Sequence, residues 1–204
     1  ITTHEFFGNP DLPATKAAHY VAGYEWQITD LIFTDIQFYY NYQWDIPDFA
    51  TAEDLAVEEN GSSTERFFSS GKGRMKGLEL LIRHDQSEHF FGWIAYTLSR
   101  SERYDREEKK YVLFNRDQPH NLQLVASWRL PRQWDIGTRV RFVSGNPSTP
   151  VVGKTYNLTD RFIERKRGET YSARLEPFFQ VDLRVDKKFV FDLWMLSMYV
   201  DLQN

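Results

Sequence analysis

The chain has no cysteine in its 204 residues. Disulfide frameworks, thiolate metal sites and cysteine nucleophiles are therefore excluded. No apolar run approaches the roughly 20 residues that a membrane-spanning helix needs, so any crossing of a bilayer has to be made by strands. An excess of positive charge is also missing. The 25 Lys+Arg stand against 29 Asp+Glu, for a formal net charge of −4 and a pI near 5.8, which leaves no electrostatic footprint for nucleic acid. Catalytic signatures are lacking too. No Ser, His and acid fall into a nucleophile pattern. Gly71-Lys72-Gly73 lacks the spacing of a phosphate loop. His84 and His89 flank a predicted turn, but two ligands fall short of the three or four a metal site requires. The sequence gives no catalytic constellation, no metal site and no cofactor.

Aromatic residues, by contrast, are abundant. Phe, Tyr and Trp number 16, 11 and 6, while all hydrophobic residues together make up 41% and the mean hydropathy is −0.57. The pattern explains the mixture. From Ile32 to Trp44 the residues Ile32, Thr34, Ile36, Phe38, Tyr40, Tyr42 and Trp44 alternate with Phe33, Asp35, Gln37, Tyr39, Asn41 and Gln43. This is a period of two, sustained beyond an ordinary strand. It returns at 122–129, 134–142 and 179–186, with less regular runs at 17–27, 73–83, 90–102 and 189–202. Apolar residues recur at i+2, not at i+3 and i+4, which excludes amphipathic helices. The predicted fold class is all-β, with about eight antiparallel strands.

The connections alternate between tight and long. Ile28-Thr29-Asp30, His84 to His89, Pro131-Arg132-Gln133 and Asp186-Lys187-Lys188 read as short turns. Ile46 to Lys72, Arg103 to Asp117 and Gly145 to Ala173 are long and rich in charge, Gly, Ser or Pro. Long loops confined to one end are the mark of a transmembrane β-barrel, with its short turns in the periplasm. On this reading both ends of the chain lie on the extracellular side. A complete bacterial barrel keeps both termini in the periplasm, so the chain is expected to be a stretch of a larger barrel that continues at both ends.

Specific motifs extend this reading. Phe7-Gly8-Asn9-Pro10-Asp11-Leu12, followed by Lys16-Ala17-Ala18-His19-Tyr20 and Gly23-Tyr24-Glu25, opens a series. It continues with Gly73 to Glu79, Gly92 to Ser99, Asp117 to Leu122, Ser144 to Pro147 with Thr149-Pro150, Pro177 to Arg184, and Tyr199 to Asn204. In residues and order the series resembles the barrels of TonB-dependent outer-membrane receptors, over nearly the whole chain. Glu176 departs from it, standing where family members often carry a second proline, and the aromatic residue that closes such barrels is absent. The resemblance implies a wall segment of a 22-stranded barrel, occluded by the protein's own N-terminal plug domain and driven through TonB. It places the protein in the Gram-negative outer membrane, among its lipids and lipopolysaccharide, with a small-molecule or oligosaccharide ligand of the siderophore-iron, cobalamin or glycan kind.

Lipid makes charge on an outward face costly, so the charged members of each strand are assigned to the lumen. The candidate lumen- or plug-facing residues are Asp35, Gln37, Glu79, Arg83, Arg139, Arg141, Gln180, Asp182 and Arg184. Gly77, Gly92 and Gly137 sit within strands, where a missing side chain permits coiling or close approach of the plug. The basic cluster from Arg161 to Arg167, with Arg161, Arg165, Lys166 and Arg167, is the candidate extracellular ligand loop. Two other readings fit the alternation. One is a passive porin-like channel; the other is a soluble β-sandwich, which would bury its aromatic faces against a second sheet.

Overall fold

The computed structural model describes residues 12–49, 67–157 and 162–204. Within them nearly all regular structure is extended. The long strands are β1 (Lys16–Thr29), β2 (Ile32–Phe49), β3 (Phe67–His84), β4 (Phe90–Asp105), β6 (His120–Leu130), β7 (Trp134–Val143), β12 (Phe178–Val190) and β13 (Met195–Leu202). Short strands fill the connections: β5 (Lys110–Leu113), β8 (Pro147–Ser148), β9 (Val151–Asn157), β10 (Phe162–Arg167) and β11 (Ala173–Arg174). The long strands form one antiparallel meander in the order β1-β2-β3-β4-β6-β7-β12-β13, with β5 paired to β4. The eight strands expected from the period of two are thus present in a single open sheet whose edges are β1 and β13.

The register decides which residues share a face. One row across the sheet runs Ile82, Ile94, Leu124, Val140, Val181, and the next runs Leu80, Tyr96, Leu122, Phe142, Phe179. The alternate residues form the opposite face, with rows such as Leu81, Ala95, Gln123, Arg141, Gln180. Among the described residues the buried hydrophobic side chains are Ile46 and Ala126 alone, while Phe38, Ile94, Leu98, Leu183 and many others are 38–58% exposed. A water-soluble sandwich would cover that face with a second sheet. Here the wall is one layer thick, and its apolar side needs an apolar medium.

Aromatic rows mark both ends of this side. At the turn end stand Trp26, Trp128 and Trp134, with Phe90 packed 5.2 Å from Trp128. At the loop end stand Tyr40, Tyr42 and Trp44, the last two stacked at 5.8 Å. Along β4 the apolar side from Phe90 to Leu98 covers eight steps of about 3.4 Å. At a tilt of about 40° this is roughly 21 Å, close to the ~25 Å band of outer-membrane barrels.

Three of the four expected tight turns lie where the sequence places them. The Pro131–Gln133 turn carries Arg132 and Gln133 at φ of 60° and 62°. The fourth turn differs: β12 runs on through Asp186, Lys187 and Lys188, and the chain reverses at residues 191–194, where the Phe191 N–H donates to the Trp194 carbonyl at 2.9 Å. Neighbouring groups keep the two lysines in strand. Lys188 Nζ bonds Asp135 at 2.8 Å, and Lys187 donates to the Arg132 carbonyl while lying 5.2 Å over the Trp134 ring.

The strand glycines also separate. A Cβ on Gly77 would lie 2.5 Å from the Tyr39 hydroxyl, because the Tyr39 ring crosses over it, and a Cβ on Gly92 would lie 2.9 Å from the Phe90 ring. The wall itself fills those two gaps. Gly137 has nothing within 4 Å of that position and is the one of the three with open space above it.

Candidate functional site

The nine strand residues singled out as lumen candidates fall on one face. Arg83 heads the row that continues through Trp93, Val125, Arg139 and Asp182, while Arg141 and Gln180 share the row of Leu81 and Asp35. Gln37 lies opposite Glu79, and Arg184 lies opposite Gly137. Charges gathered on one side of a single-layer wall have to satisfy one another or meet a partner across the lumen. Much of the pairing is internal. The Arg139 guanidinium grips the Asp182 carboxylate, with Nε to Oδ2 at 2.8 Å, and the Gln180 amide donates to Oδ1 at 3.0 Å. Arg184 donates twice to Asp186 at 2.8 Å and stacks 4.0 Å over Tyr199. Arg83 Nε sits 2.7 Å from Asp85, too poorly aligned for a hydrogen bond, with its guanidinium 5.1 Å over Phe33. Arg141 lies 5.5 Å over Phe178. Not all needs are met inside the wall. Gln37 donates to one Asp35 oxygen at 2.7 Å, but the other is buried without a partner, as is the Asn121 side-chain oxygen.

At the loop end the same face opens into a cleft of about 660 Å³. Its walls are the ends of β2 and β3 and the β4–β5 hairpin, and they bring Lys72, Arg103, Asp105, Phe114 and Tyr171 together. Arg103 lies 4.7 Å over the Phe114 ring. A smaller recess of about 220 Å³ below it reaches Asn41, Gln43 and Met75. Three cations, three carboxylates, aromatic rings and amides around one opening suit a polar, charge-bearing ligand. These residues were not singled out in the sequence, where Arg103 to Asp117 reads as a long connection rich in charge; the residue spacing alone does not reveal that β5 folds back onto β4.

The described part of the basic cluster, inside the long connection from β7 to β12, is folded as one strand of a hairpin. Arg165, Lys166 and Arg167 lie on β10, which pairs with β9 so that Arg165 sits opposite Lys154. Arg161 lies outside the described residues. All three β10 cations are exposed, and the hairpin presents Tyr156 and Ile163 beside them. At the tip of the β4–β5 hairpin, Glu108 hydrogen-bonds Lys110 at 2.7 Å and raises its pKa above the ordinary lysine value.

A buried ion pair straps the loops together. Asp117 is 1% exposed; its carboxylate accepts from the Ser101 N–H and from Arg174, both at 2.6 Å, and its carbonyl accepts from Arg174 at 2.7 Å. Arg174 also donates to the Gly145 carbonyl at 3.2 Å. Segments 57 residues apart are thereby fixed to the outer half of β4.

A family model described as TonB dependent receptor-like, beta-barrel matches residues 2–204. Solved structures resemble the fold. The ferripyoverdine receptor of the outer membrane of Pseudomonas aeruginosa, bound to ferripyoverdine, is 15% identical with a TM-score of 0.62, over 93% of this chain and 23% of that one. The ferric-catecholate import receptor Fiu from Escherichia coli K12 is 12% identical with a TM-score of 0.59, over 88% of this chain and 22% of that one. The outer membrane transporter YddB from Escherichia coli is 12% identical with a TM-score of 0.60, over 95% and 29%. The chain thus spans between a fifth and a third of their lengths. No curated protein matches the sequence.

Proposed function

Because the chain belongs to the TonB-dependent receptor β-barrel family of the outer membrane, we propose that it is a wall and rim segment of a receptor for energy-coupled uptake of a scarce, charged ligand of the ferric-chelate kind. The observation that carries the reading is the division of the sheet. One side is an apolar band between aromatic rows. The other is a polar surface with unmet acceptors, and it leads up to an aromatic-lined cleft at the loop end that carries charges of both signs.

The protein's own plug domain is proposed to fill the lumen and supply donors to Asp35 and Asn121, whose orphaned oxygens are costly if nothing meets them. Gly137 offers the plug a close approach. Force from TonB on that plug would open the path. Arg103 and Phe114 would hold the ligand at the rim, with Arg165, Lys166 and Arg167 raising the local concentration of an anion.

Conductance of the full-length receptor in a planar bilayer tests the plugged state. No steady current is expected, and a persistent open-channel current would replace this reading with a porin-like one. Equilibrium binding of a panel of ferric siderophores tests the site. Arg103→Glu is expected to weaken the bound anionic chelate at least tenfold; an unchanged affinity would remove the cleft from the ligand path.

A further inference from the structure

The β9–β10 hairpin stands apart from the wall as a two-stranded sheet of its own. Two strands alone are marginally stable in water, so a hairpin of this size needs a surface to pack on. Its register puts Lys154 opposite Arg165 and Tyr156 opposite Ile163, with Val152 on the same face. Val152, Tyr156 and Ile163 are 61%, 55% and 60% exposed, and both cations are exposed as well. Like charges set directly across a strand pair oppose pairing, unless an anion lies over them. In the two strands Lys154, Arg165, Lys166 and Arg167 stand against a single carboxylate, Glu164, and the four cations make no ion pair or hydrogen bond among the described residues.

The hairpin is rooted beside the ends of β2 and β3. At its base β8 pairs with β11, the Gly168 N–H donates to the Pro150 carbonyl at 2.8 Å, and the Tyr171 N–H donates to Thr149 Oγ1 at 3.2 Å. Tyr171 in turn lines the same cleft as Ile46, Asp48, Gly71 and Lys72. At that rim Phe49 and Phe67 are register partners, and the connection between them, 50–66, is outside the described residues. Half of that connection, fully extended, reaches roughly 27 Å at about 3.4 Å per residue, more than the roughly 20 Å length of β9. Its sequence is acidic. Glu53 and Asp54 precede Leu55-Ala56-Val57, and Glu58 and Glu59 follow.

We propose that residues 53–59 of this chain dock on the hairpin face formed by Val152, Lys154, Tyr156, Ile163 and Arg165. The carboxylates meet Lys154 and Arg165, while Leu55 and Val57 cover the exposed valine, tyrosine and isoleucine. Each side supplies what the other lacks. The hairpin face is a pair of cations between apolar groups, and the segment is an apolar triplet between pairs of carboxylates. The contact ties the β2–β3 connection to the β7–β12 connection and gives the hairpin the packing surface that two strands lack. Lys166 and Arg167, in register with Gly153 and Val151, lie outside it. A second copy of the chain would set cations against cations, and a small anion would leave Val152, Tyr156 and Ile163 bare.

The test is cysteine cross-linking in the full-length receptor in membrane vesicles; no cysteine of these 204 residues competes. Val57→Cys with Ile163→Cys is expected to oxidise to a disulfide at least tenfold faster than Val57→Cys with Thr155→Cys, whose second site is on the other face of the same hairpin. Hydrogen exchange gives a second readout. Glu53→Gln, Asp54→Asn, Glu58→Gln and Glu59→Gln together are expected to speed exchange in 151–157 and 162–167 at least tenfold. Lys154→Glu with Arg165→Glu does the same, and adding Glu58→Lys and Glu59→Lys to that pair restores slow exchange. Heat-modifiable gel mobility confirms that the barrel of each variant is folded. Equal cross-linking at 155 and 163 overturns the docking, and so does exchange that the neutralised segment leaves unchanged. A disulfide between two chains overturns it in favour of a second copy, and protection seen only with added ferric siderophore overturns it in favour of the ligand. Siderophore binding is measured in parallel, so that failure of the uptake reading is told apart from failure of this one.

Discussion

Leu124→Arg puts the two-sided wall to its most direct test. Leu124 projects from the apolar side between Ile94 and Val140, its partners on the two neighbouring strands. It stands four residues from Trp128, so at about 3.4 Å per step and a tilt of about 40° it lies roughly 10 Å above the turn-end aromatic row. That is close to the middle of a ~25 Å band, out of reach of Glu102 and of both headgroup layers. Arg or Lys on the lipid face at that depth costs about 2–4 kcal/mol. At 1.4 kcal/mol per factor of ten, this is roughly a 30- to 1,000-fold fall in the folded-to-unfolded ratio. The measurement is urea unfolding of the full-length protein in vesicles, followed by the mobility of unheated samples. The control is Gln123→Arg, one residue away but on the polar face between Ala95 and Arg141. It is expected to cost less than about 1 kcal/mol, within the range of surface substitutions. Equal costs for the two variants would refute the assignment of faces.

Other perturbations follow from local geometry. Asp117→Ala takes the carboxylate away from Arg174, which keeps its bonds to the carbonyls of residues 117 and 145, and frees the Ser101 N–H. Removing one partner of a buried pair costs about 3–5 kcal/mol, and discounting for the one-third exposure of Arg174 leaves about 2–3 kcal/mol. The loss is expected as faster hydrogen exchange in 114–119 and 172–176, and exchange unchanged there would count against the strap. Gly77→Ala drives a Cβ into the Tyr39 hydroxyl and the Leu98 carbonyl and lowers the unfolding midpoint, whereas Gly137→Ala, with open space above it, leaves the midpoint unchanged. Gln133→Gly relieves a positive φ of 62° in the tight turn and is expected to raise stability by a few tenths of a kcal/mol; Gln133→Ala is not.

The period of two in the sequence was enough to locate the strands and their two faces, because lipid on one side and polar surroundings on the other impose strict alternation. Register, in contrast, is a property of pairs, and most of what the structure adds depends on it. Lys187 and Lys188 resemble turn residues until Asp135 and the Arg132 carbonyl are placed beside them. Arg165 to Arg167 resemble a loop until Gly153 and Lys154 are found opposite. Asp117 and Arg174 carry no shared motif, since 57 residues separate them. Lys76 and Arg100 were the one case where the signal was present in the sequence. They fall in the apolar phase of their strands, where a cation marks the end of the band.

The unequal strand lengths have a consequence of their own. With 18 residues each, β2 and β3 span roughly 44 Å along the membrane normal at a tilt of about 40°, nearly twice the apolar band, while β6 and β7 have 11 and 10 residues. The rim is therefore a parapet with a high side and a low side, the high side standing some 20 Å above the lipid. On the proposed reading, a ligand arriving from outside would meet the cleft at the top of the high side before it reached the membrane plane. Its last stage of travel would then be a descent along a protein surface, out of contact with the lipid.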